Sequence, residues 1–216
     1  MKAFFSDCKT ALLLTLVMVL LLCGAYPVAV WAGAQAFFAR QANGSLIVDA
    51  SGTVRGSRLL AQSFASDRYF QPRPSAAGSG YDATSSGGTN YGPTSAKLAN
   101  GVHAKDAKGK DVADLGNFDG VKDLVAAYRA SNGLGSTEAV PADAVTRSAS
   151  GLDPHISLGN AQRQANRVAK ARRLPLAAVE ALIAQNTDGR DLGILGEAGV
   201  NVLSLNLALD RAGAGR

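Results

Sequence analysis

Ser150, Asp153 and His155 fall in one short polar segment, Ser148-Ala149-Ser150-Gly151-Leu152-Asp153-Pro154-His155-Ile156-Ser157. A serine, a carboxylate and an imidazole are the nucleophile, orienter and base of acyl-transfer hydrolysis. That chemistry needs the three groups brought together in space, however, and no serine elbow of the G-x-S-x-G kind occurs in the chain. A structural reading fits the same residues. Ser150-Gly151 makes a tight turn, Asp153-Pro154 sets the approach to a helix, and Ser157 or Asn160 caps it. The hydrolase centred on Ser150, Asp153 and His155 stands as the alternative.

Other chemistries find less material. His103 and His155 are the only histidines, and neither has a partner at helical or zinc-binding spacing, so no metal site is expected. Ser86, Gly87, Gly88, Thr89 and Asn90 could turn backbone N–H groups towards a phosphate, because consecutive glycines permit an anion-cradling nest. A self-sufficient ATP site would need G-x-x-x-x-G-K-[ST], which is absent. The 22 Lys and Arg against 17 Asp and Glu are spread widely without an aromatic stacking series, so nucleic acid is not an expected partner.

The elements that must position these residues begin with a membrane anchor. From Thr10 to Ala39 no residue is charged, a run longer than the roughly 20 residues that cross a bilayer. The expected organisation is a short cytoplasmic N-terminus over 1–10, a transmembrane helix over 11–38 and an extracytoplasmic domain over 39–216. Lys2 and Lys9 precede the span and Arg40 alone follows it, so the positive-inside bias places the N-terminus in the cytoplasm. Ala32-Gly33-Ala34 imitates a signal-peptide cleavage site, but the uncharged stretch is too long for an ordinary signal core. Gly24, Tyr26, Pro27 and Trp31 suggest a kink and an interfacial anchor. Cys8 and Cys23 lie about 22 Å apart along a helix and cannot pair, so the domain depends on its core for stability.

Within the domain, Leu46-Ile47-Val48 and Leu59-Leu60-Ala61 flank a Gly- and Ser-rich stretch and predict a hairpin. The segment from Ser66 to Pro93, rich in Pro and Gly, reads as a long functional or disordered loop. Ala104 to Gly116 reads as a solvated connector. Val121, Leu124, Val125 and Tyr128 recur at helical spacing, with Asn132-Gly133 as the stop. Asn160 to Arg173 predicts a helix with Arg163, Arg167 and Lys170 on one solvated basic face, and Pro175 starts another. Val200 to Leu209 alternates like a strand, yet Asn201 could cap a Leu- and Ala-rich helix, and helix is the preferred reading. The fold class expected is one N-terminal transmembrane helix plus one α+β domain, a small sheet with packed helices.

Several distinct motifs follow one another in order over nearly the whole chain. They are the N-terminal span; Gly56-Ser57 through Gln62; Tyr69-Phe70-Gln71-Pro72-Arg73-Pro74-Ser75; Ser86-Gly87-Gly88-Thr89-Asn90-Tyr91-Gly92-Pro93-Thr94; and Val145-Thr146. Further along come Ser148 through Ser157, Arg167-Val168-Ala169-Lys170-Ala171-Arg172, Leu195-Gly196-Glu197, and Val200-Asn201-Val202-Leu203 through Asp210. Together they resemble the C subunit of the Kdp-type potassium-transporting ATPase of bacteria. Thr89, Tyr91, Ser95 and Leu158 depart from that family's pattern, and the tract around Ala104 to Gly116 matches it poorly.

The resemblance implies a non-catalytic accessory subunit of a high-affinity, ATP-driven potassium uptake complex in the inner membrane. Its implied partners are a channel-like potassium-binding subunit, a P-type ATPase subunit and a small membrane subunit. It also implies a catalytic chaperone that raises the ATP affinity of the hydrolysing subunit, with Ser86 to Asn90 as the suggested nucleotide contact. An external domain cannot reach cytoplasmic ATP, so that effect would have to pass through the complex as a coupling free energy.

Overall fold

The computed structural model describes residues 1–49, 51–103 and 117–214. The solvated connector expected over 104–116 lies outside the described residues. The chain divides into two units, Met1–Val54 and Arg55–Arg216.

The first unit is dominated by one apolar helix, Lys2–Ala42, whose 41 residues are long and apolar enough to cross a membrane. It comprises α1 (Lys2–Val19), a π-helical turn (Leu20–Ala25) and α2 (Tyr26–Ala42). Pro27 lies two residues beyond the end of the π turn, in the first turn of α2. A proline has no N–H to give the preceding turn, and a wider turn absorbs that missing bond within the helix. The sequence signal for a kink therefore appears as a change of helical pitch. At the far end Asn43 Nδ2 donates to the Ala39 carbonyl at 2.6 Å, and Gly44 turns the chain with φ 86°. β1 (Leu46–Val48) follows, and Asp49 Oδ1 closes the next turn by accepting from the N–H groups of Ser51 and Thr53.

β2 is Val54–Ser57. The expected second strand, Leu59-Leu60-Ala61, is a turn and bend instead, with Leu59 58% exposed. Ser57 Oγ takes the Leu59 N–H at 3.1 Å, which ends the strand before the apolar run.

The second unit is built on a three-stranded antiparallel sheet in the order β3-β5-β4, from β3 (His155–Ile156), β4 (Thr187–Asp188) and β5 (Gly199–Asn201). Ile156 and Thr187 both pair with Val200. The helices of this unit are α3 (Ala96–Asn100), α4 (Val121–Asn132), α5 (Ala142–Val145), α6 (Leu158–Arg172), α7 (Leu176–Gln185) and α8 (Val202–Ala214). α6 presents Ala161, Ala165, Val168 and Ala169 to the core, a stripe of small residues that lets neighbouring helices approach closely. Its N-cap is Ser157, whose Oγ accepts from Asn160 N–H at 3.1 Å. Arg173, in the left-handed region, separates it from α7.

Residues 200–209 divide between the two readings left open by the sequence. Val200 and Asn201 end β5, and α8 starts at Val202 with Asn201 Oδ1 accepting from Ser204 N–H at 3.0 Å. Leu205 and Leu209, one helical turn apart, are fully buried beside Phe70, Val179 and Val200. Each such side chain contributes roughly 1.5–3 kcal/mol by leaving water.

The Pro- and Gly-rich stretch before Pro93 is ordered by buried amides. Phe70 N–H donates to Asn206 Oδ1 at 2.9 Å and Asn206 Nδ2 returns to the Phe70 carbonyl at 3.0 Å. Gln164 does the same for Gln71, at 2.8 and 3.1 Å. Two side-chain amides thus stand in for a neighbouring strand and satisfy backbone that no sheet reaches.

Candidate functional site

The two segments singled out for chemistry, Ser86 to Asn90 and Ser148 to Ser157, meet in the second unit. The Ser150 carbonyl accepts from Gly87 N–H at 2.9 Å and from Ser86 Oγ at 3.0 Å. Gly88 passes the same turn so closely that a Cβ there would lie 3.0 Å from the Ala149 carbonyl oxygen. Gly151 adopts φ 68°, and Ser75 Oγ donates to its carbonyl at 2.6 Å. Ser75 Oγ in turn accepts from the N–H groups of Ala77 and Tyr81. Burial pushes the Tyr81 phenol up to about 12, partly offset by the Arg147 charge. Its hydroxyl donates to the Arg73 carbonyl at 2.9 Å.

Ser150, Asp153 and His155 do not form a triad. Ser150 Oγ accepts from Leu152 N–H at 3.1 Å. Asp153 binds Arg73 Nη1 through Oδ2 at 3.0 Å and His155 N–H through Oδ1 at 3.0 Å. The His155 Nε2 position belongs to Asp188, at 2.9 Å, and Asp188 also pairs with Arg58. His155 Nδ1 lies 4.0 Å from Asp153 Oδ1. The imidazole is therefore set between carboxylates, and the serine hydroxyl is used to shape its own turn.

In the Ser86 to Asn90 loop, Gly87 and Gly88 both have negative or extended φ, and Asn90 carries the positive value of 56°. The Gly87 N–H points inward to Ser150, so it is committed within the fold. Ser86 and Asn90 are exposed, and Gly87, Gly88 and Thr89 are half-buried. Beyond them Tyr91 stacks edge-on against Phe118 at 5.3 Å, and Arg147 lies 4.3 Å over the Phe118 ring.

The expected basic face of α6 is only partly solvated. Arg167 is folded inward with its side chain 8% exposed, donating to the Asp67 and Tyr69 carbonyls, Asn132 Oδ1 and Gln164 Oε1. Desolvation lowers its pKa. Arg163 pairs with Glu138 at 3.0 Å at an open cleft of about 840 Å³ that Lys170 also lines. Spacing alone cannot tell a solvated arginine from one that clamps a loop.

Two polar groupings were not visible in the sequence. Asp143 accepts from Ser157 N–H, Ser157 Oγ and Asn160 Nδ2 at 2.8, 2.9 and 3.0 Å, tying α5 to the start of α6. Asn160 Oδ1 then accepts from Tyr128 and Gln164, both at 2.9 Å. Burial, with the Asp143 charge, raises the Tyr128 pKa. Separately, His103, Asp119 and Asp123 bring ligand-type atoms within 4.8 Å of one another. Asp123 Oδ2 there accepts the Gly120 N–H at 2.8 Å and meets His103 Nε2 at 3.0 Å, which holds the Asp123 pKa below the usual carboxylate value.

Residues 8–211 match the family model described as KdpC: K+-transporting ATPase, c chain. A Mycobacterium tuberculosis protein named Potassium-transporting ATPase KdpC subunit is 49% identical over 186 residues, covering 86% of this chain and 88% of its own. One of the same name from Rhodospirillum rubrum is 49% identical over 202 residues, or 94% of each chain. A third, from Nitratidesulfovibrio vulgaris, is 46% identical over 209 residues, covering 96% of this chain and 95% of its own. With matches that span the long apolar helix, the stitched loop and the sheet alike, the chain belongs to the K+-transporting ATPase c chain family.

Proposed function

We propose that this chain is the non-catalytic accessory subunit of an ATP-driven potassium uptake pump, aiding its assembly and stability. One observation carries the reading: the groups best suited to catalysis are spent on structure, Ser150 on Leu152, Asp153 on Arg73 and His155 on Asp188. The relatives' shared name, a potassium-transporting ATPase subunit, supplies the assembly to which such a scaffold belongs. Its partners in this proposal are a channel-like potassium-binding subunit, a P-type ATPase subunit and a small membrane subunit. Purified full-length chain in detergent is expected to hydrolyse no ATP, and turnover by it would overturn the reading.

The proposed topology puts residues 1–10 in the cytoplasm, the helix in the inner membrane and the domain outside, from the bias of Lys2 and Lys9 over Arg40. A cysteine placed at the exposed Ser86 should react with a membrane-impermeant maleimide in intact cells whose outer barrier is opened. Labelling only after the inner membrane is broken would reverse the orientation. For such an external domain, influence on nucleotide affinity travels as coupling through the pump, and Ser86 to Asn90 serve to seat the loop on Ser150.

A further inference from the structure

The segment between β4 and β5 exposes its largest side chains. Leu192 is 88% exposed, Ile194 75% and Leu195 56%. They sit on a tight reverse turn in which Asp191 N–H donates to the Leu195 carbonyl and Leu195 N–H to the Asp191 carbonyl, both at 2.9 Å. Gly193 N–H adds a bond to the Arg190 carbonyl at 3.1 Å. Below the turn, Arg190 Nη2 holds both carboxylate oxygens of Glu197 at 2.7 Å. The tip is thus braced at its base and apolar at its end.

Leu192 occupies the left-handed region at φ 53°, where a branched side chain is strained and glycine or asparagine is the ordinary choice. The neighbouring Gly193 and Gly196, at φ 78° and 75°, take the same region without penalty. Leucine in such a turn, presented to solvent, gains nothing within this fold for the strain it carries. Contiguous exposed apolar side chains on a rigid support are the signature of an interaction site.

The charges around the tip select the kind of partner. An interfacial loop that enters an anionic bilayer surface carries unpaired lysine or arginine beside its apolar residues. Here Arg190 is neutralised by Glu197, and Asp191 adds a negative charge. That balance disfavours anionic headgroups and suits an apolar protein pocket with a polar rim.

We propose that Leu192, Ile194 and Leu195 form an anchor that inserts into an apolar pocket on another protein subunit of the pump. This rests on the accessory-subunit reading and names the surface through which it acts. The test uses the full set of pump subunits with this chain tagged. A photo-crosslinking amino acid at position 192 should capture a protein subunit, while one at the exposed Glu180 of α7 should not. Leu192→Asp combined with Ile194→Asp should lower the partner protein recovered with the chain by about tenfold or more. Because these side chains are exposed, the doubly substituted chain should melt with the wild type, and Leu192→Met should keep full recovery. Crosslinks to lipid alone, or undiminished recovery with the double variant, would overturn the anchor. Failure of the wild-type chain to recover any pump subunit would instead sink the accessory-subunit reading on which it stands.

Discussion

A Cβ placed on Gly151 would lie 2.8 Å from the Cβ of Ala77, as close as it would come to the Gly87 carbonyl oxygen. The turn that looked like a catalytic serine segment is therefore the seat on which two other loops close. Gly151 also holds φ 68°, so Gly151→Ala brings backbone strain and a collision together. A loss of about 2–4 kcal/mol is expected, read as a lower melting temperature of the full-length chain in detergent. Gly87→Ala meets open space and should change stability by less than about 0.5 kcal/mol, with the assembled pump's ATP affinity unaltered.

Asn160 is 1% exposed and joins Asp143, Tyr128 and Gln164. Asn160→Leu keeps the volume but strands one Gln164 N–H in the interior and leaves the Tyr128 hydroxyl only its longer contact to the Asn160 carbonyl, at 3.4 Å. Denaturant unfolding should register a loss of about 2–4 kcal/mol. A double variant that also carries Tyr128→Phe should recover part of it, since the donor that lost its better acceptor is then gone.

Asp123 has its pKa lowered first by the Gly120 N–H and then by His103. A depressed folded pKa means the contribution is complete above the ordinary value of 3.8 and is lost as pH falls through the lower folded value. Melting curves between about pH 2 and pH 6 should show α4 losing support on the acid side in the wild type. The Asp123→Asn chain should lack that component of the acid dependence; an identical acid profile would place the titrating group elsewhere.

His155 and Asp188 are each more than a third exposed, so their contact is screened by water. His155→Ala is expected to cost under about 1 kcal/mol and to leave potassium-stimulated turnover of the assembled pump within about twofold. A hydrolase built on Ser150, Asp153 and His155 would instead lose its activity outright.

The long apolar helix was legible because a charge-free run of that length stands out by composition alone, and α4 because Val121, Leu124, Val125 and Tyr128 repeat at one period. The central sheet was not. Its strands are two or three residues long, too short for alternation to register, and His155 pairs with Asn201 across a large loop of chain. The same limit applied to the site. Neighbours in sequence such as Ser150 and His155 point to different partners, while Ser86 meets Ser150 and Arg73 meets Asp153 across long intervals. Arg167 reads as a surface charge by spacing, and only packing shows it gripping Asp67, Tyr69 and Asn132.

The most direct test of the accessory-subunit account is a mild-detergent pull-down of the tagged full-length chain from membranes of potassium-starved cells, with the eluate assayed for ATP hydrolysis. The account predicts recovery of a P-type ATPase subunit and a channel-like subunit, with hydrolysis stimulated by potassium and none from the chain when purified alone. Recovery of the chain without pump subunits, or hydrolysis by the isolated chain, would contradict it.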